Sequence, residues 1–180
     1  MNYKNININK NQIAYFKSID STNSYLKNII TTNPNSTLKL CIADKQTQGK
    51  GTRGKTWVSP ESGNIYMTYK ILISNNKNPP PLSMISAISI AEAIEYLYPD
   101  LKIQLKWPND LMINNKKIGG ILIEIIKNTA LIGVGININP VKNIGLINQP
   151  ITDINTELNT KLNKTNILNF ETKQDIKFDI

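Results

Sequence analysis

The chain alternates between segments of two hydrophobic periods. Ile13, Tyr15, Ser18 and Ile19 form a short mixed run that predicts a first strand over 13–19. Tyr25, Leu26, Ile29 and Ile30 then recur at helical spacing, directly after Asp20-Ser21-Thr22-Asn23. Asp20, Ser21 or Thr22 can accept a bond from the first free amides as N-cap, and the helix must end before Pro34. Leu38 to Ala43 is a short apolar run that reads as a buried strand, and Ile65 to Ile73 alternates like another. Leu82 to Leu97 repeats apolar residues every three or four positions with Ser and Ala between them, the pattern of a packed helix.

Three more strands follow, over 101–106, 111–113 and 117–126, and a fourth over 129–138. The Asn114-Asn115 pair suits the positive φ angles of a two-residue hairpin. Residues 1–11 are polar and read as ragged. Asn75 to Pro81 ends in three prolines and reads as a loop. Polar stretches at 153–163 and 165–176 read as weak helices or tail. Strands outnumber helices and several are joined by hairpins. The expected class is therefore α+β, with a mixed or antiparallel sheet flanked by helices, in one domain over 1–180 with its core over about 12–160.

Composition narrows the chemistry. Of 21 cations in 180 residues, twenty are Lys and one is Arg53; there are 13 carboxylates, no His, and one Cys, Cys41. Histidine-dependent nucleophilic catalysis, a His-ligated metal and a disulfide framework are all excluded. Asn (26) and Ile (31) are also over-used, so the +8 charge reads as a compositional drift spread over the surface. A nucleic-acid site would instead cluster its cations on one face, and specific DNA binding is not expected. No apolar run reaches the roughly 20 residues of a membrane span, and no signal segment opens the chain. A cytoplasmic protein with no membrane partner is the expectation.

Two segments carry candidate chemistry. Gly49-Lys50-Gly51-Thr52-Arg53-Gly54-Lys55 places three glycines and three cations in one loop. Bare glycine backbone can approach a ligand and aim amides at it, and the cations favour a phosphate or carboxylate. The spacing fits neither a Walker loop nor a dinucleotide fingerprint. A flexible solvated loop is the alternative. Lys106-Trp107-Pro108-Asn109-Asp110 reads as a turn after an apolar strand, with Lys106 placed by alternation to point inward. Asp110 is read mainly as closing that turn, with a role toward an acceptor amine as the alternative. Trp57 and Trp107 are read as packing residues.

In order, the chain contains Asp20-Ser21-Thr22-Asn23, Gln46-Thr47-Gln48-Gly49-Lys50-Gly51-Thr52-Arg53-Gly54-Lys55-Thr56-Trp57, Lys106-Trp107-Pro108-Asn109-Asp110-Leu111, Lys117-Ile118-Gly119-Gly120-Ile121-Leu122 and Gly133-Val134-Gly135-Ile136-Asn137. This ordered series resembles the biotin–protein ligases over about 13–160. The resemblance implies the catalytic core shared with lipoate ligases and class II aminoacyl-tRNA synthetases. It implies an enzyme that uses ATP, with Mg²⁺ as MgATP, to convert biotin to biotinyl-5′-AMP. The biotinyl group then passes to a lysine of a biotin carboxyl-carrier protein, as in acetyl-CoA carboxylase. It places Ser21, Thr22, Asn23, Gln46, Gly49, Lys50, Gly51, Thr52, Lys106 and Gly119 with biotin. It places Arg53, Trp57, Lys106, Ile136 and Asn137 with the nucleotide, and makes Lys106, Arg53 and Lys50 the catalytic cations. A homodimer is a further implied partner.

The residue inventory agrees with that chemistry. A carboxylate is already a nucleophile, so adenylation needs positive charge and alignment more than a base. Hydroxyl and amide groups suit a neutral ureido ring, which offers donors and an acceptor.

The chain also departs from the family. Its loop usually reads Gly-Arg-Gly-Arg-x-Gly-Arg, and here Lys50, Thr52 and Lys55 stand at the arginine positions. Lys keeps the charge but loses the bidentate fork, and Thr52 loses the charge. Arg53, one residue later, is the expected substitute. The N-terminal DNA-binding domain of some relatives and the C-terminal β-barrel of many are expected to be absent or truncated. A lipoate or octanoate ligase and a non-catalytic biotin or nucleotide binder are the competing readings.

Overall fold

The structure is a computed structural model that describes residues 6–73, 81–141, 149–159 and 176–178. Its centre is a seven-stranded sheet in the order β2-β3-β4-β8-β7-β6-β5. The strands are β2 (Ile13–Phe16), β3 (Leu40–Ala43), β4 (Ile65–Leu72), β5 (Gln104–Lys106), β6 (Asp110–Ile113), β7 (Lys116–Ile126) and β8 (Thr129–Ile136). β2 and β3 run parallel, and every other neighbouring pair is antiparallel. The expected α+β class with a mixed sheet is what the chain forms.

Alternation along β8 separates the two faces of the sheet. Val134 and Ile136 point into a core with Ile65, Leu111, Ile118 and Ile138. Helix α2 (Leu82–Leu97) covers that side, presenting Ala87, Ala91 and Ile94 at spacings of four and three. Leu131, Gly133 and Gly135 face the other way. There α1 (Thr22–Thr32) packs Leu26 against Cys41 and Leu131, flanked by Phe16 and Tyr25 in an edge-on ring contact. The thiol of Cys41 is fully buried, and burial followed by the charge of Asp20 pushes it up to about 12.

Local patterns account for most element ends. Ser21 is the N-cap of α1, with its hydroxyl oxygen accepting from the Ser24 amide at 3.4 Å. Asn114 and Asn115 both adopt positive φ, as a two-residue hairpin requires. A short helix α3 (Ile154–Leu158) is capped by Asp153.

The chain ends differ from expectation. Within the N-terminal stretch read as ragged, Ile6–Ile8 forms β1, paired antiparallel with β9 (Ile176–Phe178). Its partner lies at the far end of the chain, so no local pattern could announce the pairing. β9 also replaces the end of the helix expected over 165–176; the rest of that segment and most of the proline loop lie outside the described residues. Among the described residues no helix is long and apolar enough to cross a membrane.

Candidate active site

A cleft opens on the α1 side of the sheet. The N-terminus of α1, the Gly49–Trp57 loop, and strands β7 and β8 line it. Its floor is glycine backbone. A Cβ on Gly133 would overlap the Asn23 amide, and one on Gly135 would overlap the Trp57 indole. These glycines lie in strands because other groups occupy the space where their side chains would stand.

The α1 end of the cleft is a buried polar network. Ser21, Thr22, Asn23 and Thr68 are all at most 4% exposed. The Thr22 amide donates to Gln46 Oε1 at 2.9 Å, and the Thr22 hydroxyl lies 3.1 Å from the same oxygen. Gln46 Nε2 donates to Ser59 Oγ at 3.0 Å, and that hydroxyl donates to the Trp57 carbonyl at 3.0 Å. Thr68 Oγ1 stands 2.8 Å from Thr22 Oγ1 and 2.5 Å from Asn23 Oδ1. Asn23 Nδ2 donates to Glu124 Oε2 at 3.0 Å, and Lys27 pairs with the other carboxylate oxygen at 3.2 Å. Burial raises the Glu124 carboxyl, but hydrogen bonds from Asn23 and Lys27 and the charges of Lys27 and Lys50 outweigh it, leaving it below the ordinary carboxylate value.

The basic loop closes largely on itself. The Gly51 amide donates to the Lys55 carbonyl at 2.7 Å and the Trp57 amide to the Gly49 carbonyl at 2.9 Å. Gly49 is buried where a Cβ would meet Ser59 Oγ at 2.6 Å. Lys50, Gly51, Thr52, Lys55 and Trp57 line the cleft. Arg53 is exposed, sits in the left-handed region at φ 56°, and is outside the lining. The Trp57 indole lies against Gly135, and its buried N–H finds no acceptor among the described residues.

Register places Lys106 opposite Asp110 and so, through Gly120 and Gly135, on the cleft face of the sheet, as alternation predicts. β5 is the sheet edge with all three residues exposed, and Lys106 is outside the cleft lining. Trp107, read as packing, is 75% exposed. Lys117 lies deeper on that face and lines the cleft. Its Nζ bonds Asp110 Oδ1 at 2.7 Å and lies 5.3 Å from the Trp57 ring centroid. Asp110 thus pairs with Lys117 at the end of the turn.

A bulge sets the position of Lys117. Met112 pairs with Lys117 but Leu111 pairs with Gly119, leaving Ile118 as an extra residue in β7. That insertion moves Lys117 onto the face of Gly120, where a Cβ on Gly120 would meet Lys117 Cε at 3.2 Å. The Lys117-Ile118-Gly119-Gly120 motif is visible in the sequence, but plain alternation puts Lys117 with Gly119. Gly119 itself lies under Ile136, and both belong to the packed side of the sheet outside the cleft lining. Asn137 lines the cleft and donates to the Thr152 carbonyl at 3.2 Å.

Residues 15–140 match the model of the biotin/lipoate A/B protein ligase family. The chain belongs to that family. It is 36% identical over 163 residues to the bifunctional ligase/repressor BirA of Escherichia coli, an alignment covering 82% of this chain and 49% of that protein. The chain thus spans about half the length of this curated relative. Two solved structures share the fold. The biotin protein ligase of Aquifex aeolicus in complex with biotin and ATP superposes with a TM-score of 0.73 at 27% identity, over 87% of this chain and 65% of that one. The Leishmania major biotin protein ligase in complex with biotinyl-5-AMP gives 0.72 at 29% identity, over 88% and 70%.

Proposed function

We propose that this ligase-family chain activates biotin with ATP to biotinyl-5′-AMP and transfers it to a lysine of a biotin carboxyl-carrier protein. One observation carries the reading. A neutral hydroxyl and amide network and the Lys117 cation meet in a single cleft over a glycine floor, beside a loop of further cations. That arrangement suits a ligand with a neutral polar head and an anionic end. Ser21, Thr22 and Gln46 would hold the ureido head. Lys117, held by Asp110, would draw the biotin carboxylate and the nucleotide α-phosphate together, which is the main task of an adenylation whose nucleophile is already anionic. Lys50 and Lys55 would add charge at the rim, and the unsatisfied Trp57 N–H would find its acceptor in a bound ligand.

Among the described residues no three His, Cys, Asp or Glu side chains come together as a metal cage. Mg²⁺ fits this site as a companion of the ATP phosphates, where it usually keeps water and phosphate ligands, and it supplies charge neutralisation there. In the second step the acceptor amine must reach the activated biotin, and Asp110, the carboxylate paired with Lys117, would orient it.

The test is biotin-dependent release of pyrophosphate from ATP by the purified chain, followed by mass spectrometry of a carrier domain. A gain of one biotinyl group on one lysine is expected. Incorporation of lipoate or octanoate in place of biotin would move the assignment to the related acyl ligases. Biotin binding without pyrophosphate release would make the chain a binder.

A further inference from the structure

We infer that Glu124 is a positioning residue that fixes Thr22 as a hydrogen-bond acceptor toward the cleft, acting through Asn23 and Thr68. The inference rests on the assignment of this cleft to biotin. It follows from counting protons along the network.

A carboxylate can only accept, so the Asn23 side chain must turn its NH₂ toward Glu124. Asn23 Oδ1 then faces Thr68, and the single hydroxyl proton of Thr68 must go to it. Thr68 Oγ1 is left as an acceptor for the Thr22 hydroxyl. The opposite end of the network imposes the same direction. The Trp57 carbonyl takes the Ser59 proton, Ser59 Oγ then accepts from Gln46 Nε2, and Gln46 Oε1 is turned to Thr22. Gln46 Oε1 already takes the Thr22 amide proton at 2.9 Å and lies 3.1 Å from the hydroxyl, so Thr68 at 2.8 Å is the nearer acceptor and takes the hydroxyl proton. Toward the cleft the Thr22 oxygen offers only lone pairs.

The consequence is specificity. A ligand must bring an N–H to Thr22, and one that brings a carbonyl or an alkylated nitrogen meets lone pairs or a clash. Ser21 is the complement: its oxygen already caps α1, and its proton has no acceptor among the described hydrogen bonds. Neighbouring hydroxyls thus present an acceptor and a donor, the pairing a ureido edge requires. Glu124 touches neither ligand nor reacting atoms. It acts by polarity, and Gly133 makes the room for the Asn23 amide that carries it.

The experiment is calorimetric titration of wild type, Glu124→Ala, Glu124→Gln, Thr68→Val and the Glu124→Ala/Thr68→Val double variant. Each is titrated with biotin and with biotin methylated on a ureido nitrogen, beside ATP binding and thermal melting. Glu124→Ala should weaken biotin by about tenfold, the size of one mis-set buried hydrogen bond. It should also shrink the preference for biotin over the methylated analogue, with ATP affinity unchanged. Glu124→Gln, whose carbonyl still accepts from Asn23, should recover most of the affinity and the preference. In the Thr68→Val background, Glu124→Ala should add little. Wild-type affinity and preference in Glu124→Ala would overturn the inference, as would full additivity in the double variant. Should Glu124→Ala not fold, Thr68→Val carries the same expectation, and wild-type behaviour there overturns the relay. A wild-type protein that binds no biotin would overturn the functional assignment and this inference with it.

Discussion

The α1 end of the cleft and the basic loop are built in opposite ways. At α1, buried hydroxyls and amides hold one another in fixed directions, with Thr68 entirely buried and Thr22 at 3% exposure. In the loop, backbone bonds fix the chain path while Lys50, Arg53 and Lys55 stay exposed. A neutral head needs directional groups already oriented, because an unmatched buried donor or acceptor is costly. An anion needs charge nearby, and charge tolerates movement. Lys117 belongs to the loop by chemistry and to α1 by construction: it is a cation, but its side chain is only 12% exposed and tied to Asp110.

That placement sets the largest expected effect. Lys117→Ala should lower biotin-dependent pyrophosphate release by about 10²–10³-fold, the range for loss of one preorganised group stabilising developing charge. Lys106→Ala, whose lysine shares the cleft face but is exposed at the sheet edge, should cost less than Lys117→Ala. If the two variants ranked in the reverse order, the division between buried and exposed cations would break.

Next in size is Gly133→Ala, whose new Cβ would overlap the Asn23 amide oxygen. Biotin affinity should fall by about tenfold or more in calorimetry, with ATP affinity little changed. Loss of ATP affinity instead would show that the two ends of the cleft are not separable.

Arg53→Ala should leave pyrophosphate release within about twofold, as expected of an exposed charge. The sharper readout is retention of biotinyl-AMP, measured by its rate of escape from the protein. Faster escape would make Arg53 the substitute for the missing loop arginine; unchanged escape would confine the charge effect to Lys50 and Lys55. Smallest is Cys41. With its thiol buried and raised to about 12, it should resist a thiol reagent at pH 8 until the protein is unfolded. Rapid native-state labelling would mean that the α1 side of the sheet opens readily.

The secondary structure was largely legible because each element carries its own signal. Leu82–Leu97 is bounded by its periodicity, and the Asn114-Asn115 hairpin by its turn residues. The β1–β9 pairing was not legible, since its strands lie at opposite ends of the chain. The site was legible as motifs. Ser21, Thr22, Asn23, Gln46 and Lys50 were all readable as candidates, and the structure brings them to one cleft. Lys106 was readable as a cleft-facing cation from strand alternation, and the register keeps it on that face, but Lys117, brought to the same face by a bulge, was not readable.

The sequence by itself determined the residue types available: no histidine, one arginine, hydroxyl and amide groups at the start of α1, and glycines in β7 and β8. Those choices limit the chemistry to placement and charge. Only the tertiary structure decided that Lys117 lines the cleft and which way the protons of the α1 network run. Both depend on contacts that exist only in the fold, Lys117 with Asp110 across a bulged hairpin and Glu124 with Asn23, 101 positions away, between β7 and α1. A hydrogen bond has a direction only when both partners are present, and folding brings them together.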